Sequence, residues 1–335
     1  MNCPLQVAFA RDPKFGSWSK PSTYSVLGVA AHAVIEAAFK RSEWSGLDIA
    51  SIRAHLDEVW DVEIQRGDEG LRIAWAPSIP PRPQEWPGYS LTRARTIRRG
   101  SMLLVKSRTV TTERTQGADV EIALSDSTSG LWGRADRIEK DGKSTRIVDL
   151  KTGLNQEEPT ADQRRQLLMY AVLLQRASGN WPVSIEVEDA SGSRHVLPFE
   201  PTEAEAALTE VELAKKSFNE SVVLEDFVAK AQPTPDRCRW CPFRVLCRPF
   251  WDALTSDWGQ RAALGVVSSA GVSEGGAFVE LSVESPADKA GQVMHVSRLF
   301  DPLPNSATKV AVIDWSGSAE TGGAWAKWTT TVRAW

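Results

Sequence analysis

Two aspartates and a lysine, Asp136, Asp149 and Lys151, stand out in the stretch 131–153, LWGRADRIEKDGKSTRIVDLKTG. An Asp-Gly pair between alternating apolar residues is a strong hairpin signal, so the stretch reads as two strands turning at Asp141 and Gly142. With that turn, Asp136 lies opposite Ile147, and Asp149 and Lys151 follow Ile147 by two and four positions. Cross-strand partners share a face and side chains alternate with period two, which places all three charges on one face. Two carboxylates beside an ammonium are costly on a half-buried strand unless a cation or an anionic substrate uses them. The aspartates suit a hard divalent ion such as Mg or Mn, and the lysine suits a scissile phosphate or the water attacking it. A salt-bridged surface hairpin is the bland alternative. Ile147, Val148 and Leu150, strand-core residues around the charges, weigh against it.

The cysteines form a second set. Cys238, Cys241 and Cys247 are spaced C-x2-C-x5-C, and Cys3 stands alone near the start of the 335-residue chain. Four cysteines are too few for a disulfide scaffold at this size. Four thiolates can enclose a tetrahedral zinc or a four-iron cluster, or stay unligated, and spacing alone does not separate these readings. A shared ligand would staple the first residues to the segment near residue 240, removing on the order of 5 kcal/mol of chain entropy from the unfolded state.

Several elements must position these groups. A helix over 21–40 carries an apolar face of Leu27, Ala30, Ala31, Val34, Ile35 and Ala38, with His32 and Glu36 one turn apart on it. His32 alone reads as a packed core histidine or a ligand, and Glu36 as structural. Residues 47–66 have helical apolar spacing, and the five prolines of 77–87 demand a loop. The stretch 92–108 holds Arg93, Arg95, Arg98, Arg99, Lys106 and Arg108 with no acid. It reads as a helix that weakens at Gly100, and either as a solvated face or as a phosphate-binding track. Val120, Ile122 and Leu124 alternate in a first strand, on which Glu121 is expected to face solvent. After the hairpin, Thr160 and Gln163 make a capping box for the helix QRRQLLMYAVLLQRA, with Leu167, Ala171 and Leu174 packed. Gln166 and Tyr170 are an i,i+4 pair able to hydrogen-bond one phosphate, or each other. Strands near 183–188 and 195–199 flank Ser191 and Gly192, and Thr202 to Glu205 caps another helix to Asn219.

An acid at 136 followed, after twelve residues, by D-L-K-T-G resembles the PD-(D/E)XK nuclease superfamily, and within it the RecB-like branch. The resemblance implies Asp136 and Asp149 as metal ligands, the Leu150 backbone carbonyl beside them, and Lys151 as the catalytic lysine. G-V-A-A-H resembles the branch's helix histidine, making His32 a metal ligand. Q-x-x-x-Y resembles its helix motif, making Gln166 and Tyr170 substrate-binding or auxiliary residues. One early and three late cysteines resemble the iron-sulfur nucleases of the AddB type and of CRISPR adaptation. That implies a 4Fe-4S cluster on Cys3, Cys238, Cys241 and Cys247, with structural Zn as the alternative. The implied activity is Mg- or Mn-dependent hydrolysis of DNA, single-stranded and cut from an end, in recombination, repair or defence. The implied partners are DNA, CRISPR adaptation proteins or a separate helicase, since no G-x-x-x-x-G-K phosphate loop is present. The rival class is a DNA-binding or scaffolding subunit that keeps the fold without the chemistry.

Composition frames these readings. With 42% hydrophobic and 24% charged residues the chain reads as a globular protein of one large or two domains. His32 and Glu36 interrupt the most apolar stretch, and MNCPLQVAFARDPKF has no charged leader before an apolar block. No membrane span and a cytoplasmic location are expected. A formal net charge of -4 excludes bulk electrostatic coating of nucleic acid, so DNA contacts must be local. From about 259 the chain turns to glycine, serine and short β-like runs at 278–283, 293–299, 309–315 and 325–332. The expected fold is α/β: a nuclease core over 1–255, with a mixed central sheet flanked by helices and the cysteine clasp. A small all-β domain, an OB-like barrel, follows over 256–335. Its Trp315, Trp325, Trp328 and Trp335 could stack on single strands or pack as core.

Overall fold

The structure is a computed structural model that describes residues 3–109, 116–142, 144–151, 159–189, 191–221, 223–300, 305, 308–317 and 323–335. Its helices are α1 (Pro4–Arg11), α2 (Thr23–Lys40), α3 (Ile49–Trp75), α4 (Tyr89–Thr109), α5 (Ala161–Ser178), α6 (Pro201–Asn219), α7 (Leu224–Ala229), α8 (Pro235–Arg239) and α9 (Arg248–Ala253). Its strands are β1 (Gln116–Asp126), β2 (Leu131–Asp141), β3 (Ser144–Lys151), β4 (Ser184–Asp189), β5 (Arg194–Leu197), β6 (Ala262–Ser273), β7 (Gly276–Ser285), β8 (Val293–Ser297), β9 (Lys309–Ile313), β10 (Ala324–Trp325) and β11 (Thr331–Ala334). The chain divides into two compact units. One comprises 22–70 and 81–217, the other 1–21, 71–80 and 218–335.

The first of these is a mixed five-stranded sheet, in the order β1-β2-β3-β4-β5, with helices against it. Only β3 and β4 pair in parallel, and α5 supplies the crossover between them. Helix α5 starts on the expected capping box, in which the Thr160 hydroxyl accepts from Gln163 N–H and the Gln163 side chain accepts from Thr160 N–H. It ends at Gly179, whose φ of 77° is the left-handed C-terminal cap. Its buried stripe includes Leu167, Leu168, Ala171, Val172, Leu173 and Leu174, packed on Ile138, Ile147, Ile185 and Val187 of the sheet. Each such leucine, isoleucine or valine side chain contributes roughly 1.5–3 kcal/mol on burial.

Helix α4 does not weaken at Gly100 but runs on to Thr109. A Cβ there would sit 3.0 Å from Leu56 Cδ1 and 3.5 Å from Val34 Cγ1. Glycine thus lets α4 approach α2 and α3 closely, which offsets its intrinsic helix cost of about 1 kcal/mol. On the sheet face opposite α5, Glu188 is fully buried among three arginines. Arg99 Nη2 lies 2.9 Å and Arg137 Nη2 2.5 Å from its oxygens, and Arg194 Nε 2.8 Å. Burial pushes the Glu188 carboxyl up, but Arg137, Arg99 and Arg194 together hold it below the usual carboxylate range. This network ties α4 and β2 to β4 and β5, and its loss would leave uncompensated buried charge.

The hairpin register differs from the expected one. Asp141 pairs with Ser144 and Ile138 with Ile147, so the position opposite Asp136 is Asp149 rather than Ile147. The loop begins after Asp141 instead of including it, shifting the register by two residues. An even shift preserves which side chains share a face.

In the other unit, six strands form one sheet in the order β10-β8-β7-β6-β9-β11. The expected OB-like barrel is replaced by a strongly curled half-barrel. Edge strand β10 bends back so that Trp325 and Ser316 exchange backbone hydrogen bonds of 2.8 and 3.0 Å. Strand β6, the longest of this sheet, was not expected, because Gly265 and Gly271 interrupt its alternation. A Cβ at Gly265 would lie 2.3 Å from the Ser282 carbonyl oxygen, at a bulge in the β6–β7 pairing. Of the four tryptophans, Trp315 is core, Trp328 packs edge-on against Trp75, and Trp325 and Trp335 are partly exposed. Phe250, Trp251 and Leu254 share one cluster with Ala262, Leu264 and Ile313, so residues on both sides of 255/256 pack together. Among the described residues no helix is long and apolar enough to cross a membrane.

Candidate active site

The site lies where β1 and β2 break their alternation. Val120 and Arg137, which are register partners, line the α2 side of the sheet with Val148 and Leu150. Two residues on, the partners Ile122 and Ala135 instead pack into the α5 core. The switch occurs at Glu121, whose φ of 54° is the left-handed region that a non-glycine residue rarely adopts. Glu121 therefore does not face solvent as expected. Its carboxylate is turned inward, 3.7 Å from His32 Nδ1, with only 13% of the side chain exposed. Arg134 Nε holds its other oxygen at 2.7 Å.

Helix α2 supplies His32 at the edge of its buried apolar face, beside Ala31 and Ile35. Its Nδ1 lies 3.7 Å from Asp136 Oδ1. Ligand atoms of His32, Glu121 and Asp136 all fall within 4.8 Å of one another. One imidazole nitrogen and two carboxylate oxygens at that spacing form a possible site for a divalent metal ion. Glu36, one turn along α2, borders the same depression and pairs with Lys40.

Asp149 is buried, and its Oδ2 has no hydrogen-bond donor although Lys151 Nζ lies 2.8 Å away. The ammonium is close enough for an ion pair but is not aligned as a donor. Asp136 Oδ2 accepts the Leu150 backbone N–H at 2.7 Å, which locks the first acid to the strand carrying the second. Burial raises the Asp136 carboxyl above the usual range, His32 opposes this, and Asp149 and Glu121 add to it. Mutual repulsion of the buried carboxylates is what a cation would relieve.

On the α5 side, Gln166 Nε2 donates to the Tyr170 hydroxyl at 3.0 Å. Burial raises the Tyr170 phenol, and Asp136 and Asp149 also act on it, so it stands within electrostatic reach of both acids. Gly133 makes this possible, because a Cβ there would lie 2.7 Å from Tyr170 Cε1. Six of the expected residues, His32, Asp136, Asp149, Lys151, Gln166 and Tyr170, are thus gathered around one end of the β2–β3 pair. Leu150 joins them through its N–H. Thr152 and Gly153 of the D-L-K-T-G motif lie outside the described residues. Reasoning from sequence could place Glu121 where PD-(D/E)XK relatives often carry an acid before the hairpin, but strict alternation favoured a solvent-facing residue, and nothing in V-E-I announces a left-handed one.

The four cysteines are free thiols and line one cavity in the other unit, with Phe9, Phe243 and Arg244. Cys3 precedes α1, whose Phe9 packs on Phe243 with ring centroids 5.6 Å apart. The expected iron-sulfur cluster is not supported by their placement: among the described residues no three of the sulfurs lie within 4.8 Å of one another, so as they stand they are not close enough to hold one. Burial pushes the Cys241 thiol up to about 11 and the Cys247 thiol up to about 12, and neighbouring cysteines add to both shifts.

A family model described as the PD-(D/E)XK nuclease superfamily matches residues 1–248. A search of curated proteins found no match. Among solved structures, "Crystal structure of SSO0001" aligns at 15% identity over 48% of this chain and 78% of that one, with a TM-score of 0.25.

Proposed function

The chain belongs to the PD-(D/E)XK nuclease superfamily, and on that premise we propose that it is a Mg- or Mn-dependent deoxyribonuclease, acting as an exonuclease on single-stranded DNA. The observation that carries this reading is the convergence of His32, Glu121 and Asp136 within 4.8 Å, beside the Asp149–Lys151 pair. His32, Glu121, Asp136 and Asp149, with the Leu150 carbonyl, would hold the ion, which when bound supplies Lewis-acid charge at the phosphoryl group and makes water a better nucleophile.

The chain's own residues do the rest. Lys151 is anchored by Asp149 and presents its ammonium to a non-bridging phosphate oxygen, where negative charge grows during in-line attack. A half-buried ammonium acts more strongly there than in water. Asp136 must be ionised to ligate the ion, and the hydrogen bond from the Leu150 N–H favours that form. Gln166 and Tyr170 would orient a neighbouring phosphate through an amide and a hydroxyl held ready by their mutual hydrogen bond. No side chain needs to form a covalent intermediate. The intact Asp136, Asp149 and Lys151 favour this over a scaffolding role. Any unwinding would come from a separate helicase, and CRISPR adaptation proteins are a second class of partner.

The proposal keeps 1–255 as the nuclease domain with its cysteine clasp, supported by a family match ending at 248, and 256–335 as an appended β domain. At Cys3, Cys238, Cys241 and Cys247 we favour a 4Fe-4S cluster acting as a staple. What supports a shared ligand is that the four thiols line one cavity, whose walls would have to draw together around the cluster.

The decisive experiment incubates anaerobically purified protein with end-labelled single- and double-stranded DNA in Mg, Mn or chelator. Metal-dependent shortening of the single strand from one end is expected. No cleavage of any nucleic acid under these conditions would overturn the catalytic reading.

A further inference from the structure

The arginine-rich stretch noted in the sequence is not spent on a single purpose. Arg99 is consumed by the Glu188 network, and the side chains of Lys106 and Arg108 lie outside the described residues. Arg93 and Arg98, by contrast, border a groove of about 340 Å³ between α3 and α4, together with Arg53, Asp57, Tyr89 and Ser90. Three guanidiniums face one concavity containing one carboxylate. Asp57 accepts from Arg93 at 2.9 Å, and neither Arg53 nor Arg98 has an ion-pair partner among the described residues. Arg93 Nε is buried and without a hydrogen-bond partner, so even the paired arginine keeps unused donor capacity in the groove. Trp60 Nε1 lies 3.4 Å from the Tyr89 oxygen and donates to it, leaving the Tyr89 proton free to donate in turn.

We infer that this groove binds the phosphate backbone of a nucleic-acid strand, at a place separate from the metal-ligating residues. Like charges crowded in a concavity repel one another unless anions are supplied, and guanidiniums present paired donors that match phosphate oxygens. A net charge of -4 makes such a local excess the means by which the chain could attract a polyanion. The choice of nucleic acid as occupant rests on the nuclease reading, whereas the anion site itself rests on the groove.

The test separates the two. Anisotropy of a labelled single-stranded oligonucleotide is followed in EDTA, so that no cleavage occurs, across a salt series. Wild type is compared with Arg53→Gln/Arg98→Gln and with the charge-keeping Arg53→Lys/Arg98→Lys. Both arginines are exposed, so the variants should fold, which circular dichroism and melting check. The Gln pair should bind about ten-fold more weakly and flatten the slope of log affinity against log salt by roughly 1.4, for two phosphate contacts on a single strand. The Lys pair should keep most of the slope. Unchanged affinity and slope in the folded Gln pair would overturn the inference. So would dependence on these arginines confined to an acidic polypeptide, with DNA indifferent. A wild type that binds through the arginines but never cleaves in Mg or Mn would count against the nuclease reading alone.

Discussion

His32, Glu121 and Asp136 are brought together by a long helix and two hydrogen-bonded strands, whereas Cys3, Cys238, Cys241 and Cys247 are gathered by short helices and turns around a cavity. In the first site rigid backbone sets the ligand spacing, and three ligand atoms already fall within 4.8 Å. In the second the sulfurs share a wall but are not drawn to that spacing, which suits a site completed by what it binds. The chemistry differs in the same sense. Carboxylates are hard donors, and crowding them stores repulsion: burial first, then Asp149 and Glu121, push the Asp136 carboxyl up. Burial pushes the Cys241 and Cys247 thiols up to about 11 and 12, so both are protonated and uncharged at neutral pH. The candidate metal site is thus held by the sheet, and the cysteine-lined cavity by short helices and turns.

The sharpest break of this comparison is at the first site. Asp149→Ala or Lys151→Ala should lower metal-dependent cleavage on the order of 10³-fold while leaving the fold intact by circular dichroism. Comparable cleavage by both variants would remove the active-site assignment. For the second site the loss should be in stability. Cys241→Ser should abolish bound iron, the visible colour and the staple, lowering the melting temperature by roughly 10 °C. Metal analysis of the wild type finding zinc and no iron would decide for structural zinc. A chain ended at Ser256 should aggregate, because Phe250, Trp251 and Leu254 would lose Ala262, Leu264 and Ile313. A monodisperse truncated protein in light scattering would contradict that shared core.

Glu121→Gln sharpens the first site further. It keeps size and a contact for Arg134 but removes charge, so metal affinity should fall about 10–100-fold, read by titration with Mn. The smallest effect concerns stored repulsion. Burial first, then Asp149 and Glu121, raise the Asp136 carboxyl against the pull of His32 and the Leu150 N–H. The folded protein therefore holds this proton more tightly than the unfolded chain does. That contribution to stability is full below the unfolded carboxyl range and is lost as pH rises through the raised folded value. In chelator at neutral pH, Asp136→Asn should melt higher than wild type by about 2–4 °C, the shift of ~1 kcal/mol in a domain of this size. The difference should shrink on acidification. A lower melting point for Asp136→Asn at neutral pH would show that the acid stabilises the metal-free fold.

Much of this was legible in the residues, for a physical reason particular to each element. Asp136, Asp149 and Lys151 could be read as a group because strand parity survives a register error of two, the one made at the Asp141 turn. Thr160 and Gln163 announced α5 because a cap is local hydrogen bonding, and Gln166 with Tyr170 followed from helical spacing. Membership of the superfamily was legible in the same motifs. What tertiary structure alone decided depends on contacts between distant residues. The left-handed turn at Glu121, which adds a carboxylate to His32 and Asp136, reverses strand alternation at one residue and leaves no periodic trace. Gly100 reads as a helix breaker until Leu56 and Val34 are seen against it. The acids and arginines around Glu188 look like scattered surface charge, because their pairing spans Arg99, Arg137 and Arg194 on different elements. Composition and period belong to the chain, but close approach and mutual charge exist only once the chain has folded.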